Sequence, residues 1–228
     1  MKFLSAVWCD LLLANYEVDP GVLQPFVPAR TSLDDFEGRH YVSLVAFRFE
    51  KTSVVGVPAL FHRRFEEVNL RFYVKPDRDP SLRAVTFIKE IVPSRIIPLV
   101  ANNLFDENYV RLPMSHGVDE QSCWYAWGDQ QSQRFSATIG SERSLPASGS
   151  FSEFITEHYW GYAKGPRRTL EYEVTHPQWP CSEVLDHHIE VDFGRTYGEE
   201  FAFLDHATPA NVLYTPGSEV TVSFPRRV

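Results

Sequence analysis

The sequence has no glycine-rich loop of the kinds that hold phosphate groups. The patterns GxGxxG, GxxxxGKS and GxxxxGKT do not occur, and neither does the GxSxG turn that presents a nucleophilic serine. Positive charge is also scarce, because 22 Lys and Arg residues stand against 30 Asp and Glu residues, for a formal net charge of −8. Nucleotide-dependent chemistry and serine hydrolysis therefore have no support. We also expect no nucleic-acid partner, since phosphate binding needs a basic surface.

Closely spaced cysteine pairs and long apolar segments are missing as well. Cys9, Cys123 and Cys181 lie far apart and form no CxxC motif, which is typical of unpaired thiols in a reducing cytoplasm. No apolar run approaches the about 18 residues that a membrane span needs. Asp10 interrupts the apolar start of the chain and no small-residue cleavage site follows it, which argues against a signal peptide. We therefore expect a cytoplasmic protein with no membrane partner.

What the sequence does contain is repeated alternation of apolar and polar residues. Eight segments show this pattern and are predicted as strands: HYVSLVAFRFEKTSVV, FEEVNLRFYV, RAVTFIKEIV, QSCWYAWGD, SQRFSATIG, RTLEYEVTH, HHIEVDF and SEVTVSFP. Three segments carry helix-capping signals and are predicted as helices: DPGVLQPFVP, SRIIPLVANNLF and SFSEFITEHYWGYAKG. With no linker to divide it, the chain is predicted to be a single α+β domain over residues 1–228. Its centre would be a large, mostly antiparallel sheet or barrel, which can enclose a ligand cavity.

The segment FEEVNLRFYV has charged residues in the middle of a predicted strand. One face carries Phe65, Glu67, Asn69, Arg71 and Tyr73, and the other carries Glu66, Val68, Leu70, Phe72 and Val74. We predict that the first face lines an enclosed, partly polar cavity. Glu67 is the candidate catalytic acid or base, Arg71 is the candidate anion-binding residue, and Asn69 and Glu66 are further ligand-binding candidates. Glu67 and Arg71 are separated by ~13 Å along a strand, so each is expected to find a different partner.

Two other segments supply weaker candidates. Strict alternation in RAVTFIKEIV places Lys89 on the apolar face of Val85 and Phe87, and a desolvated lysine becomes nucleophilic near neutrality. Lys89 is therefore a second catalytic candidate, unless it pairs with an acid at a sheet edge. In LFDENYV, Asn108 and Tyr109 are ligand-binding candidates, because helix-to-strand turns beside cavities often carry ligand groups. The alternative is that this acidic turn is simply solvated.

Alternation also places His188, Glu190 and Asp192 on one face of the predicted strand DHHIEVD. Imidazole and carboxylate groups in such an arrangement can bind a metal. No HExxH motif or second histidine pair accompanies them, however. We therefore predict a solvated acidic face, no tightly bound metal and no cofactor.

The order of several segments resembles a known family. LLLANYEVDPGVLQPFVPA, LDDFEGRHYVSLVAFRF, FEEVNLRFYV, FIKEIVPSRIIPLVANNLFDENYVRLPM and PANVLYTPGSEV together resemble the DUF2071 (YqjF-like) family of uncharacterised bacterial proteins. The resemblance covers nearly the entire chain. It implies the fold of the acetoacetate decarboxylase-like superfamily, a β-barrel or cone with helices outside and a cavity within.

The resemblance carries over only part of the decarboxylase site. An aromatic-x-Glu pattern that places a glutamate in the decarboxylase cavity matches Phe65 to Glu67. The segment that holds the decarboxylase's Schiff-base lysine matches LFDENYV, which has no lysine. The decarboxylase's N-terminal arginine and other cavity glutamate fall near Trp8 and Leu44. The resemblance therefore implies a cavity without imine-forming decarboxylase chemistry.

Three hypotheses for the function remain. In the first, the chain binds a small oxo- or carboxylate-bearing molecule in its internal cavity. In the second, it is an enzyme that uses Glu67 as acid or base on a small carboxylate or keto substrate. In the third, the polar strand face is a subunit interface of a homo-oligomer, because paired Glu and Arg residues also occur in such interfaces.

Overall fold

The structure is a computed structural model that describes residues 2–59, 63–165 and 168–228. Within these ranges lie fifteen strands and four short α-helices. The strands are β1 (Lys2–Val18), β2 (Thr31–Leu33), β3 (His40–Val54), β4 (Val57–Pro58), β5 (Phe65–Pro76), β6 (Ala84–Val92), β7 (Tyr109–Arg111), β8 (Met114–Val118), β9 (Ser122–Trp127), β10 (Gln133–Ser144), β11 (Trp160–Lys164), β12 (Thr169–Thr175), β13 (Cys181–Glu190), β14 (Asn211–Ser223) and β15 (Arg226–Arg227). The helices are α1 (Pro20–Leu23), α2 (Ile96–Leu104), α3 (Phe151–Thr156) and α4 (Phe193–Tyr197), with 3-10 segments at Gln24–Phe26, Asp129–Gln131 and Glu199–His206. No helix in the described ranges has the length and apolar character to cross a membrane.

Seven of the strands form a closed ring. Hydrogen-bonded neighbours follow the order β12, β11, β6, β5, β3, β1 and β14, and β14 pairs again with β12 at Val174 and Thr175. Of these pairs, only β6 with β11 is parallel. From β14 the sheet continues outward through β13, β10, β9 and β8. The predicted α+β fold with a mostly antiparallel sheet is therefore confirmed.

The ring strands β1, β3 and β5 are buried on both faces. Their outward side chains, such as Leu12, Leu44 and Leu70, pack in one core with Tyr125 and Phe135 of the outward extension. Their inward side chains belong to a second core inside the ring. Because the extension covers the outside of the ring, β5 has no face that is open to solvent.

A bulge interrupts the pairing of β6 with β5. Leu70 pairs with Lys89, whereas the next residue on β5, Arg71, pairs with Phe87. Ile88 is therefore an extra residue on β6, and the side chains on either side of it change faces relative to strict alternation. The predicted grouping of Lys89 with Phe87 is wrong for this reason.

The bulge determines that a carboxylate of β6, and not an amine, faces the ring interior. Glu90 is paired with Asn69 and shares its inward face, while Lys89 points outward. The side-chain amide of Asn108 donates a hydrogen bond of 2.9 Å to the carbonyl of Ile88. This contact gives the carbonyl of the bulged residue a hydrogen-bond donor, and so supports the bulge.

The short strands β2, β4, β7, β8 and β15 lie outside the predicted segments. Three further differences concern longer segments. Strand β1 was not predicted, because its central run LLLAN is apolar on both faces and does not alternate. The third predicted helix is confined to Phe151–Thr156, and Trp160–Lys164 instead form β11, which the ring needs to link β6 to β12. The strand predicted over HHIEVDF ends at Glu190, and α4 begins at Phe193.

Candidate functional site

The interior of the ring contains a cavity of about 260 Å³. Its apolar wall is formed largely by aromatic side chains of β1, β3, β5 and β6, among them Trp8, Phe47, Phe49, Phe65 and Phe87. Helix α2 contributes Ile96, Ile97, Val100 and Ala101. The volume lies just under the range of about 300–1,000 Å³ that is usual for drug-sized ligands, so the cavity has the size of a site for a small metabolite.

Three glutamates, Glu67, Glu90 and Glu107, line one part of this cavity and are called here the carboxyl cluster. Glu67 accepts hydrogen bonds from Asn69 Nδ2 at 2.9 Å and from the Tyr109 hydroxyl at 3.1 Å. Glu107 accepts one from the Tyr172 hydroxyl at 2.7 Å. The cluster is thus held by neutral donors rather than by a cation.

Four elements bring the carboxyl cluster together. Glu67 lies on β5, Glu90 lies on β6 after the bulge, and Glu107 lies between α2 and β7. Tyr109 is placed beside Glu90 because β7 runs parallel to β6 in that register. Asn102 of α2 fixes this register further, since its side chain makes hydrogen bonds of 2.9 Å and 2.8 Å with the backbone of Tyr109.

Burial raises the pKa of all three glutamates. The pKa of Glu67 rises to about 7, although hydrogen bonds from Asn69 and Tyr109 act in the opposite direction. The pKa of Glu107 rises to about 8. Burial raises the pKa of Glu90 well above its ordinary range, and the neighbouring Glu107 and Glu67 add to the increase. Because like charges in a desolvated space cannot all ionise, the cluster retains protons near neutral pH.

Arg71 and His158 lie in another part of the cavity and are called here the donor end. The Arg71 guanidinium donates to the Ile155 carbonyl at 3.3 Å and lies 5.9 Å from the ring centre of Tyr73. The His158 ring lies 4.6 Å from the same tyrosine ring, and its Nε2 is 4.0 Å from the Asp34 carboxylate. Burial, followed by the nearby Arg71 charge, lowers the pKa of His158, which keeps it neutral.

Buried polar atoms without a hydrogen-bond partner among the described residues occur in both parts of the cavity. Beside the carboxyl cluster they are Asn69 Oδ1 and Glu90 Oε2, and at the donor end they are Arg71 Nε and both ring nitrogens of His158. A buried polar atom that stays unpaired costs about 1–3 kcal/mol. All of these atoms belong to residues that line one cavity, which is typical of a site that receives polar groups from a ligand or from water.

Some predicted site residues line the cavity and others do not. Glu67, Asn69, Arg71 and Tyr109 line it, and Phe65 forms part of its wall. Tyr73, also predicted to face inward, packs beside the His158 ring and is not among the lining residues.

Three predicted site residues lie outside the cavity. Glu66 is on the other face of β5, where it is 2.7 Å from His116 Nδ1. Lys89 points outward and its amine reaches the Thr196 carbonyl, while burial lowers its pKa. Asn108 supports the bulge of β6. This cavity therefore gives no support to their predicted roles in ligand binding or catalysis.

Sequence reasoning missed Glu90, Glu107 and His158. Glu90 was visible as a lone charge on an apolar strand, but strict alternation placed it on the wrong face. Glu107 lies in the acidic turn of LFDENYV, next to the ligand-binding candidate Asn108. His158 follows α3 in an irregular segment, where no periodicity indicates its direction.

The acidic face predicted near residue 190 lies away from this cavity. His188 and Glu190 are 3.8 Å apart, with 67% and 70% of their side chains exposed. Asp192 lies beyond the end of β13 and caps α4 by accepting a hydrogen bond of 2.8 Å from the backbone of Arg195. In residues 2–59, 63–165 and 168–228, no group of three or more His, Cys, Asp and Glu side chains is arranged to hold a metal ion.

Comparison with known sequences identifies relatives of this chain. The family model DUF2071, described as an uncharacterised conserved protein, matches residues 5–219. The uncharacterised protein YqjF of Bacillus subtilis (strain 168) is 23% identical over 223 residues, which cover 93% of this chain and 90% of that protein.

Comparison with solved structures identifies the fold. Acetoacetate decarboxylase of Legionella pneumophila is similar with a TM-score of 0.70 at 10% identity, over 99% of this chain and 87% of that one. An acetoacetate decarboxylase-like enzyme from Sphingomonas wittichii RW1 has a TM-score of 0.64 at 14% identity, over 100% and 94%. The enduracididine biosynthesis enzyme MppR complexed with pyruvate has a TM-score of 0.67 at 11% identity, over 100% and 91%. At these identities the comparison establishes an acetoacetate decarboxylase-like fold and no shared activity.

The buried carboxyl cluster should make the stability of the protein depend on pH. Because burial raises the pKa of Glu67 from 4.5 to about 7, the folded chain binds more protons than the unfolded chain between these values. The free energy of unfolding should therefore fall as pH rises through this window, and Glu67→Gln should flatten the fall. Urea denaturation at several pH values between 4.5 and about 8 measures both slopes.

The matched control for this experiment is Glu142→Gln, which changes an exposed carboxylate on β10. Its slope should stay like that of the wild type, because Glu142 lies outside the cavity. Equal slopes for Glu67→Gln and the wild type would show that Glu67 ionises freely in the folded protein.

Proposed function

We propose that this chain, which belongs to the DUF2071 family, binds a small oxo- or carboxylate-bearing molecule inside its ring cavity, without forming an imine. The observation that carries this proposal is Arg71, a residue only 8% exposed in a largely apolar cavity, whose Nε has no partner among the described residues. A desolvated arginine of this kind is a strong donor to carboxylate and oxo oxygens. The neutral His158 ring beside it can supply a second hydrogen bond to the same group.

The carboxyl cluster is compatible with such a ligand because its members retain protons. Ionised glutamates would repel a carboxylate, but protonated ones are neutral and can themselves donate hydrogen bonds. The solved structures offer a parallel, since MppR, which shares the fold at 11% identity, is complexed with pyruvate, a small oxo acid. Aromatic and aliphatic walls suit the apolar remainder of the molecule.

Imine chemistry is not part of the proposal, because the residues that line the cavity include no lysine among those described. Lys89 points to the other side of β6, where its amine contacts the Thr196 carbonyl. The hypothesis of a subunit interface on the polar face of β5 is also set aside. Glu67 and Arg71 are only 2% and 8% exposed within a single chain, so this face is already enclosed.

A second candidate function is favoured by one observation, the pKa of Glu67. Burial raises this pKa to about 7, and general acids and bases work best when their pKa lies near the operating pH. With Tyr109 donating to its Oε2, Glu67 is placed to remove a proton next to the carbonyl of a bound oxo compound and to return it. In this case the chain is an enzyme that uses Glu67 as acid or base.

Replacing the arginine of the donor end should weaken ligand binding. Isothermal titration calorimetry with a panel of small oxo and carboxylic acids, including pyruvate, measures affinity for the wild type and for Arg71→Met. The loss of a charged hydrogen bond should reduce the affinity of the binding members about 10- to 100-fold. Lys89→Met, the same replacement outside the cavity, should bind as the wild type does. The proposal is wrong if no panel member binds the wild type, or if Arg71→Met binds equally well.

Treatment with borohydride tests the absence of an imine. Incubation of the wild type with acetoacetate or pyruvate followed by borohydride should leave its mass unchanged, because no cavity lysine is present to be trapped. Intact-protein mass spectrometry detects any adduct. An adduct that is present in the wild type and lost in Lys89→Met would restore Lys89 as a nucleophile.

Hydrogen exchange distinguishes the enzyme from the binding protein. If Glu67 acts as a base, the wild type in D₂O should exchange the hydrogens next to the carbonyl of a bound oxo acid faster than the solvent does. Glu67→Gln should abolish this acceleration and Glu66→Gln should keep it, as proton NMR can follow. An unchanged exchange rate with the wild type, for a ligand that binds, leaves the first function and rejects the second.

A further inference from the structure

The unpaired atoms in the two parts of the cavity differ in chemistry: oxygens remain unpaired in one part and a hydrogen-bond donor remains unpaired in the other. Beside the carboxyl cluster, Asn69 Oδ1 is an acceptor without a donor, because the amide nitrogen of Asn69 is turned towards Glu67. Glu90 Oε2 is likewise unpaired. At the donor end, Arg71 Nε is a donor without an acceptor. A ligand with a single polar group can satisfy only one of these sets.

The two parts also differ in their ionisable groups. One part holds three carboxyl groups and the other holds a guanidinium. Arg71 is directed towards the Ile155 carbonyl and the Tyr73 ring, whereas Glu67 is directed towards Asn69 and Tyr109. No salt bridge joins Glu67 to Arg71 among the ion pairs of the described residues. Since the carboxyl groups and the guanidinium make no direct contact with each other, both can bind a third partner.

The spacing of the residues along β5 leaves room for a short chain of carbon atoms between two polar groups. Glu67 and Arg71 are four residues apart on one strand, or about 13 Å between their Cα atoms. Across the ladder, Phe47 is paired with Glu67 and Phe87 with Arg71, so an aromatic ring flanks each part. Apolar walls of this kind favour methylene groups between the two polar ends of a ligand, and an aromatic face also attracts a cation.

We propose that the ligand of this cavity is bifunctional, with a carboxylate bound by Arg71 and His158 and a protonated amine bound by Asn69, Glu67 and Glu90, joined by a short apolar chain. This inference rests on the proposed function, which it narrows from oxo and carboxylate compounds to amino acids whose amine is remote from the carboxylate. The amine satisfies the unpaired oxygens of Asn69 and Glu90. It also allows a glutamate to ionise, because an opposite charge at close range favours the charged form.

Three probes of equal length test the inference. They are hexanoate, hexylamine and ω-aminohexanoate, and calorimetric titration of the wild type measures the affinity of each, with four- and eight-carbon sets to vary the span. The amino acid of the best length should bind at least about 10-fold more tightly than either single-group probe of the same length, since it forms both charged contacts. Titrations in buffers of different ionisation enthalpy should show proton release with the amino acid and with hexylamine, and none with hexanoate.

Two variants test which residues bind the amine and which bind the carboxylate of the ligand. Glu90→Gln should reduce the affinity for the amino acid about 10-fold, because the amine contacts this residue. The affinity for hexanoate, which has no amine, should stay within about twofold of the wild-type value. Arg71→Met should reduce the affinity for hexanoate and for the amino acid and leave the affinity for hexylamine unchanged. Circular dichroism melts of both variants identify any loss of folding, and probe binding by each variant shows directly that its cavity is intact.

The outcomes separate this inference from the proposed function. If hexanoate or a small oxo acid binds as tightly as the amino acid at every length, and Glu90→Gln affects them all equally, the ligand has one polar group and the bifunctional inference is wrong. The proposed function stands in that case. If no acid binds the wild type, both are wrong.

Discussion

The closure of seven strands into a ring is the constraint on which the rest of the structure depends. Pairing of β14 with β12 encloses the inner face of β5, so that Glu67, Asn69 and Arg71 are removed from water inside the chain itself. Removal from water is what raises the pKa of the buried glutamates and leaves the guanidinium with so few partners. The same side chains on an open sheet would be solvated and chemically ordinary.

Within the ring, a single extra residue determines the chemical character of the cavity. The bulge at Ile88 turns Glu90 inward and Lys89 outward, and Asn108 stabilises this arrangement through the Ile88 carbonyl. A carboxyl group in place of an amine makes the site rich in acids that share protons. It also removes the nucleophile that imine formation requires.

The similarity to the acetoacetate decarboxylase-like fold does not by itself indicate what the site of this chain binds. The fold is shared with proteins of 10–14% identity, and this likeness does not extend to the polar groups inside the cavity. The function therefore has to be inferred from the side chains inside the cavity. The unpaired atoms of Asn69, Glu90, Arg71 and His158 indicate which polar groups a ligand would supply. Helix α2 adds an apolar wall, and its Asn102 holds the backbone of Tyr109 beside Glu90.

The sequence by itself determined the strands whose two faces differ, and with them the inward direction of Glu67 and Arg71, because alternation along one strand is a local property. It also identified the family through the order of its segments. Only the tertiary structure decided the other half of the site. Strand β1 shows no alternation of apolar and polar residues, because both its faces are buried. The bulge at Ile88 exists only in the pairing of two strands. His158 reaches the cavity from an irregular segment after α3. Each of these depends on contacts between residues far apart in the chain, which no local period records.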